Sequence, residues 1–206
     1  MKPTKAIIIG VIAALAALAG LVVAQLMLTD RGIEVSSGTL LKQPRSIEAF
    51  TLRDTSGAPF DNSRLAGQWS LVFAGFTFCP DVCPNTLGVL KSLKAKLDEA
   101  QAPLQVVFVS VDPERDSLDR LGTYVHYFDP RFVGVTGDVA ELEKLARSMS
   151  LVFAKVPGTT PDSYTMDHSS ALVLINPQGQ VFGYFLPPHR LDALAADLVS
   201  LIRSPS

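Results

Sequence analysis

Cys79 and Cys83 are the only cysteines of the chain, and both lie in the segment Phe76-Thr77-Phe78-Cys79-Pro80-Asp81-Val82-Cys83-Pro84. Two sulfurs at this spacing can converge on one point from a loop or the first turn of a helix. They can close a disulfide, or take one soft metal ion between two thiolates. Pro84 suits a first helical turn, where its missing N–H would have found no partner. The unpaired N–H groups and the helix dipole there favour negative charge, so Cys83 at least is expected to form a thiolate readily. The plainer reading is a buried, inert disulfide. It is weakened by position, because a bridge over so short a loop constrains little chain entropy. The C-terminal edge of a buried strand is also where open α/β sheets place their ligands. Two cysteines are too few for a disulfide scaffold or a four-cysteine zinc site.

The elements around this segment are legible from periodicity. Trp69 to Phe78 is a nearly continuous apolar run, as expected of a strand buried on both faces. Leu87, Leu90, Leu93 and Leu97 then recur at helical spacing, with Lys91, Lys94 and Lys96 elsewhere around the axis. Leu104 to Val111 reads as a second buried strand, and Asp116 or Ser117 can cap a helix running to about Phe128. Phe132 to Thr136 reads as a short strand and Asp138 to Met149 as a helix. Leu151 to Val156 is strand-like, with a polar loop from Pro157-Gly158 to Asp167. Ser170 to Ile175, a turn at Asn176-Pro177-Gln178-Gly179 and Gln180 to Leu186 make a hairpin, and Arg190 to Arg203 a closing helix. The succession predicts an α/β domain with a mixed sheet flanked by helices.

The compartment follows from the first thirty residues. Ala6 to Leu28 carries no charge and one amide, Gln25. As a helix it is about 34 Å long, enough to cross a hydrocarbon core of about 30 Å. Lys2 and Lys5 precede it, which predicts residues 1–5 in the cytoplasm, 6–28 as a transmembrane anchor and everything later outside. In a bacterium that is the inner membrane, with the domain facing the periplasm. The competing reading is a cleaved signal peptide, for which Val22-Val23-Ala24 is a weak cleavage site. Residues 29–45 are polar and read as a tether. The whole chain of 206 residues has a formal net charge of −2 and no basic run, which argues against a nucleic-acid partner.

Four segments in order resemble the SCO/SenC family: the cysteine segment, Val111-Asp112-Pro113-Glu114-Arg115-Asp116, Tyr127-Phe128-Asp129-Pro130-Arg131-Phe132 and Tyr164-Thr165-Met166-Asp167-His168-Ser169. These are thioredoxin-like copper proteins that assist cytochrome c oxidase assembly. The resemblance covers roughly residues 45–204 and includes an N-terminal anchor. It implies a thioredoxin-like domain over 46–204 in which Cys79, Cys83 and His168 bind copper, with the two cysteines also a redox pair. The implied role is delivery of copper to the CuA centre of cytochrome c oxidase subunit II or another cuproprotein, or reduction of that subunit's cysteines. An upstream copper donor is implied with it. Phe78 departs from the family, many of whose members carry histidine there.

The residue chemistry agrees with that implication. Two thiolates suit Cu(I), and an added imidazole nitrogen also accommodates Cu(II). Asp167 is a candidate for orienting the imidazole, with a turn aspartate bonded to backbone as the alternative. Met166 is a soft ligand or a packing residue, and on a regular strand it shares a face with His168. Asp112 and Asp116 read as a strand end and a helix cap, Asp81 as a loop-shaping or partner-facing residue, and His126 and His189 carry no role. The expectation is a metallochaperone rather than an enzyme. The alternative is an extracytoplasmic thiol–disulfide oxidoreductase with incidental copper binding. Against it stand the absence of a C-x2-C pair and of a proline at the loop facing the cysteines.

Overall fold

The computed structural model describes residues 10–21, 35–160 and 163–204. The described strands are β1 (Thr39–Ser46), β2 (Thr51–Asp54), β3 (Pro59–Asp61), β4 (Ser70–Gly75), β5 (Gln105–Ser110), β6 (Val133–Thr136), β7 (Phe153–Pro157), β8 (Tyr164–His168), β9 (Leu172–Ile175) and β10 (Gln180–Phe185). The domain helices are α1 (Val82–Glu99), α2 (Leu118–Phe128), α3 (Val139–Ser148) and α4 (Leu191–Arg203). Eight strands form one sheet in the order β1-β10-β9-β4-β5-β6-β2-β3, while β7 and β8 pair only with each other.

Strand β4 lies at the centre, parallel to β5 and antiparallel to β9. Its six residues are all buried, which is why the segment has no polar alternation. The parallel run continues from β5 to β6, while β10 pairs antiparallel with β9. Helix α1 sets Leu87, Leu90, Leu93 and Leu97 into the core, each fully buried, and packs against α4 and α2. This mixed sheet with flanking helices fits the thioredoxin-like α/β expectation.

Two parts of the sequence reading change. Residues 39–46, placed largely in a tether, form strand β1 at the sheet edge beside β10. Most of its side chains are exposed and it contains Pro44, so it lacks the alternation that marks a half-buried strand; an edge position tolerates both. The polar loop placed between Pro157 and Asp167 is shorter than expected, because Tyr164–His168 pairs antiparallel with β7, bringing Phe153 opposite His168.

The anchor predicted over 6–28 is described only in part, as a helix at 10–21 whose apolar side chains are exposed. Among the described residues no helix is long and apolar enough to cross a membrane. The cytoplasmic segment 1–5, the rest of the anchor and residues 29–34 of the tether lie outside the described residues.

Candidate metal centre

The cysteine loop leaves the C-terminal end of β4, and what holds it there is mostly the segment that follows β5. The Val111 N–H donates to the Gly75 carbonyl at 2.9 Å, extending the ladder one residue past the end of β5. Buried Asp116 then accepts three hydrogen bonds: from the Thr77 N–H at 2.9 Å, the Thr77 hydroxyl at 2.6 Å and the Ser110 hydroxyl at 2.6 Å. Reading Asp116 as a helix cap was therefore wrong; Ser117 caps α2 by accepting from the Arg120 N–H. Phe76 is buried, so the loop is pinned from below as well.

Helix α1 begins at Val82, placing Cys83 in its first turn. The Cys83 N–H, one of the donors with no partner within the helix, points to the Cys79 sulfur at 3.3 Å. Cys83 is fully buried and Cys79 partly exposed, and both are free thiols. Gly75 makes room for Cys83, since a Cβ there would stand 2.8 Å from its sulfur and 2.8 Å from the Phe108 ring. Burial pushes the Cys83 thiol well above the ordinary thiol range, outweighing the hydrogen bond from the Phe76 backbone. The expected ready thiolate is thus corrected: desolvation overrides the helix terminus. A cation held between the sulfurs would favour their deprotonated forms against that burial.

His168 ends β8 with its Nε2 3.5 Å from the Cys83 sulfur. One ligand atom each from Cys79, Cys83 and His168 lie within 4.8 Å of one another, the group of metal-ligand type found among the described residues. Nδ1 of His168 lies 3.1 Å from the Ser169 carbonyl. A carbonyl only accepts, so Nδ1 carries the proton and Nε2 presents its lone pair toward the sulfurs. The ring stands edge-on between Phe73 and Phe76, at centroid distances of 6.1 and 5.8 Å. Two sulfurs and one imidazole nitrogen at this separation suit a copper ion in either oxidation state.

The other candidates fall elsewhere. Asp167 points to the exposed side of β8, and the Ser169 carbonyl occupies the orienting position considered for it. Met166 shares the inward face with His168, but lines a cavity of about 260 Å³ with Val111, Pro113 and Phe153. Asp81 is exposed and accepts from the Asn85 side-chain amide at 2.5 Å, within its own helical turn. His126 is exposed on α2. His189 is half-buried with neither ring nitrogen hydrogen-bonded, and burial pushes its pKa down.

What the sequence reading missed is the link between the two ligand-bearing segments. Asp112, read as a strand end, accepts from Arg115 Nε at 2.5 Å and from the Tyr164 hydroxyl at 2.8 Å. Burial and the Asp112 carboxylate push the Tyr164 hydroxyl up to about 12, so it stays a donor at neutral pH. Such partners 49 and 52 residues apart leave no periodic trace; the one local signal is a cluster of charges directly after a buried strand.

The SCO1/SenC family pattern matches residues 39–203. A protein of Stutzerimonas stutzeri is 37% identical over 165 residues, 79% of this chain and 80% of that protein. The human mitochondrial SCO1 homolog is 33% identical over 156 residues, 75% of this chain and 52% of that protein, so the match spans about half of the human protein's length. Among solved structures, Arabidopsis thaliana ScoI with copper bound superposes with a TM-score of 0.71 at 31% identity, covering 82% of this chain and 99% of that one.

Proposed function

The chain belongs to the SCO1/SenC family, and from that premise we propose that it is a copper-binding assembly factor for cytochrome c oxidase. The copper is cargo, held by Cys79, Cys83 and His168. The observation that carries this reading is the convergence of the two sulfurs and the imidazole within 4.8 Å, from segments 85 residues apart. An exchange enzyme needs only the sulfurs, and a histidine whose Nε2 faces them supports the metal reading.

Binding requires both thiols deprotonated, so loading releases protons, and oxidation to the disulfide abolishes it. Cys79, at the solvent edge, is the sulfur a partner's thiolate reaches first, and Cys83 beneath it is released last. The intended recipient is the CuA site of oxidase subunit II or another cuproprotein, loaded in turn by an upstream copper donor. Residues 6–28 tether the domain to the membrane on its extracytoplasmic side, the bacterial inner membrane facing the periplasm. The uncharged composition of 6–28 and the exposed apolar side chains of the helix at 10–21 support that placement.

A second reading, reduction of the recipient's disulfide, rests on the half-exposed Cys79 above the buried Cys83, an attacking thiol with a resolving one behind it. Two electrons and two protons would pass to the partner as Cys79 and Cys83 join. Copper titration separates the readings. Reduced protein is expected to bind one copper per chain, oxidised protein none, and His168→Ala to bind more weakly. Rapid turnover of a model disulfide without copper, together with copper binding indifferent to His168→Ala, would favour the exchanger.

A further inference from the structure

Arg115 carries neither sulfur nor imidazole, yet it touches both segments that do. It sits in the turn after β5, where the Arg115 and Asp116 N–H groups both donate to the Asp112 carbonyl. On one side its Nη1 donates to the Tyr164 carbonyl at 3.0 Å, and its guanidinium lies 3.6 Å from the Tyr164 ring centre. Tyr164 opens β8, the strand that His168 closes. On the other side the guanidinium lies over Phe78 at 4.9 Å and Phe76 at 5.8 Å, the first adjacent to Cys79 and the second in edge contact with the His168 ring. Asp112 completes the set by gripping Arg115 Nε and the Tyr164 hydroxyl together.

We propose that Arg115 is a positioning residue for the copper site, a clasp that holds hairpin β7–β8 against the cysteine loop and so fixes where His168 stands relative to the two sulfurs. The inference rests on the Cys79, Cys83 and His168 ligand reading. The hairpin shares no ladder with the main sheet, so side chains and its two ends must fix it. The Ser169 end, where the ladder runs on for one more pair to Val152 at 2.9 and 3.0 Å, is joined to the main sheet by the short run of chain into β9. The Tyr164 end is tied through Arg115. With that end released, β8 swings about the Ser169 end, and the imidazole turns with the strand. Phe76 offers a shorter route, its ring lying 5.8 Å from both the guanidinium and the imidazole.

The role needs arginine. One plane must hydrogen-bond a carboxylate and a carbonyl at fixed angles while stacking on Tyr164, which a lysine ammonium cannot do. Arg115 Nη2 is buried without a hydrogen-bond partner, so this guanidinium is held by its stacking rings as well as by its bonds.

The test uses the full chain, reduced, with Arg115→Lys, Tyr164→Phe, His168→Ala and the double variant Arg115→Lys/His168→Ala. Copper affinity is read by chelator competition, and ligation by the sulfur-to-Cu(II) charge-transfer band. Arg115→Lys is expected to weaken copper about 10-fold and to move the band toward that of His168→Ala. The double variant is expected to be no weaker than His168→Ala alone, because the clasp acts through the imidazole. Tyr164→Phe, which loses only the hydroxyl bond to Asp112, is expected to shift the band less and in the same direction, and it decides the matter if Arg115→Lys does not fold. A wild-type band in the folded variants, or additive losses in the double variant, overturns the clasp alone. An unchanged band in His168→Ala overturns the ligand reading and the clasp with it.

Discussion

The cysteine loop and the β7–β8 hairpin bring ligands to one point by opposite means. The loop grows out of the most buried strand of the sheet, with Cys83 fully enclosed and Thr77 bonded twice to Asp116. The hairpin is a two-stranded ribbon whose outer residues are exposed, held by Arg115, the run of chain from Ser169 into β9 and a Lys155–Glu114 ion pair at 2.5 Å. Cys83 is therefore built into the core, with Cys79 on the pinned loop above it, and the imidazole is leaned against them. In the proposed copper carrier, that division lets the sulfur pair and the imidazole be tested separately.

The strongest way to break the comparison is to exchange its terms, measuring stability and copper affinity on both sides. Cys83→Ala is expected to cost more affinity than the roughly 10–100-fold that disturbing a supporting residue costs. Equal losses for Cys83→Ala and Asp167→Ala, read by chelator competition, would contradict the assignment. Gly75→Ala drives a methyl to 2.8 Å from the Cys83 sulfur and the Phe108 ring, and is expected to destabilise the domain by about 1–3 kcal/mol in urea unfolding. His168→Ala, at the end of the ribbon, is expected to cost less than about 1 kcal/mol in the same measurement. A His168→Ala cost as large as that of Gly75→Ala would show the ribbon to be part of the core.

Asp116→Ala leaves Thr77 and Ser110 without their shared acceptor, an expected loss of about 1–3 kcal/mol, with slowed amide exchange at Thr77 abolished. The smallest effect concerns pH. Hydrogen bonding to Lys155 holds the Glu114 carboxyl below its usual value of 4.5. Its contribution is thus present above that value and lost as pH falls through the lowered one. Protection of β7 amides, relative to their intrinsic exchange rates, is expected to fall on acidification through that range, and Glu114→Gln to remove the change. An identical acid response in Glu114→Gln would show that the pair does not hold the ribbon.

The sequence revealed most where one kind of burial dominates. The apolar run of β4 and the leucine spacing of α1 needed only periodicity, and they place the cysteine pair correctly at the mouth of the sheet. The paired strand β8 was hidden because its outward residues, Thr165 and Asp167, read as loop, and β1 because an edge strand buries little. His168 carried no signal beyond resemblance, since nothing local says that a histidine 85 residues away will reach a thiol. The thiolate expectation for Cys83 failed for a different reason. It weighed the helix terminus, which is local, without the burial, which depends on Gly75, Phe108 and the whole sheet.

The most direct measurement is X-ray absorption at the copper edge on reduced, copper-loaded protein and on His168→Ala. Two sulfur scatterers and one imidazole nitrogen are expected in the first, with the imidazole signature gone in the second. A sulfur-only shell, or an imidazole signal that survives the substitution, would contradict a centre assembled from the loop and the ribbon.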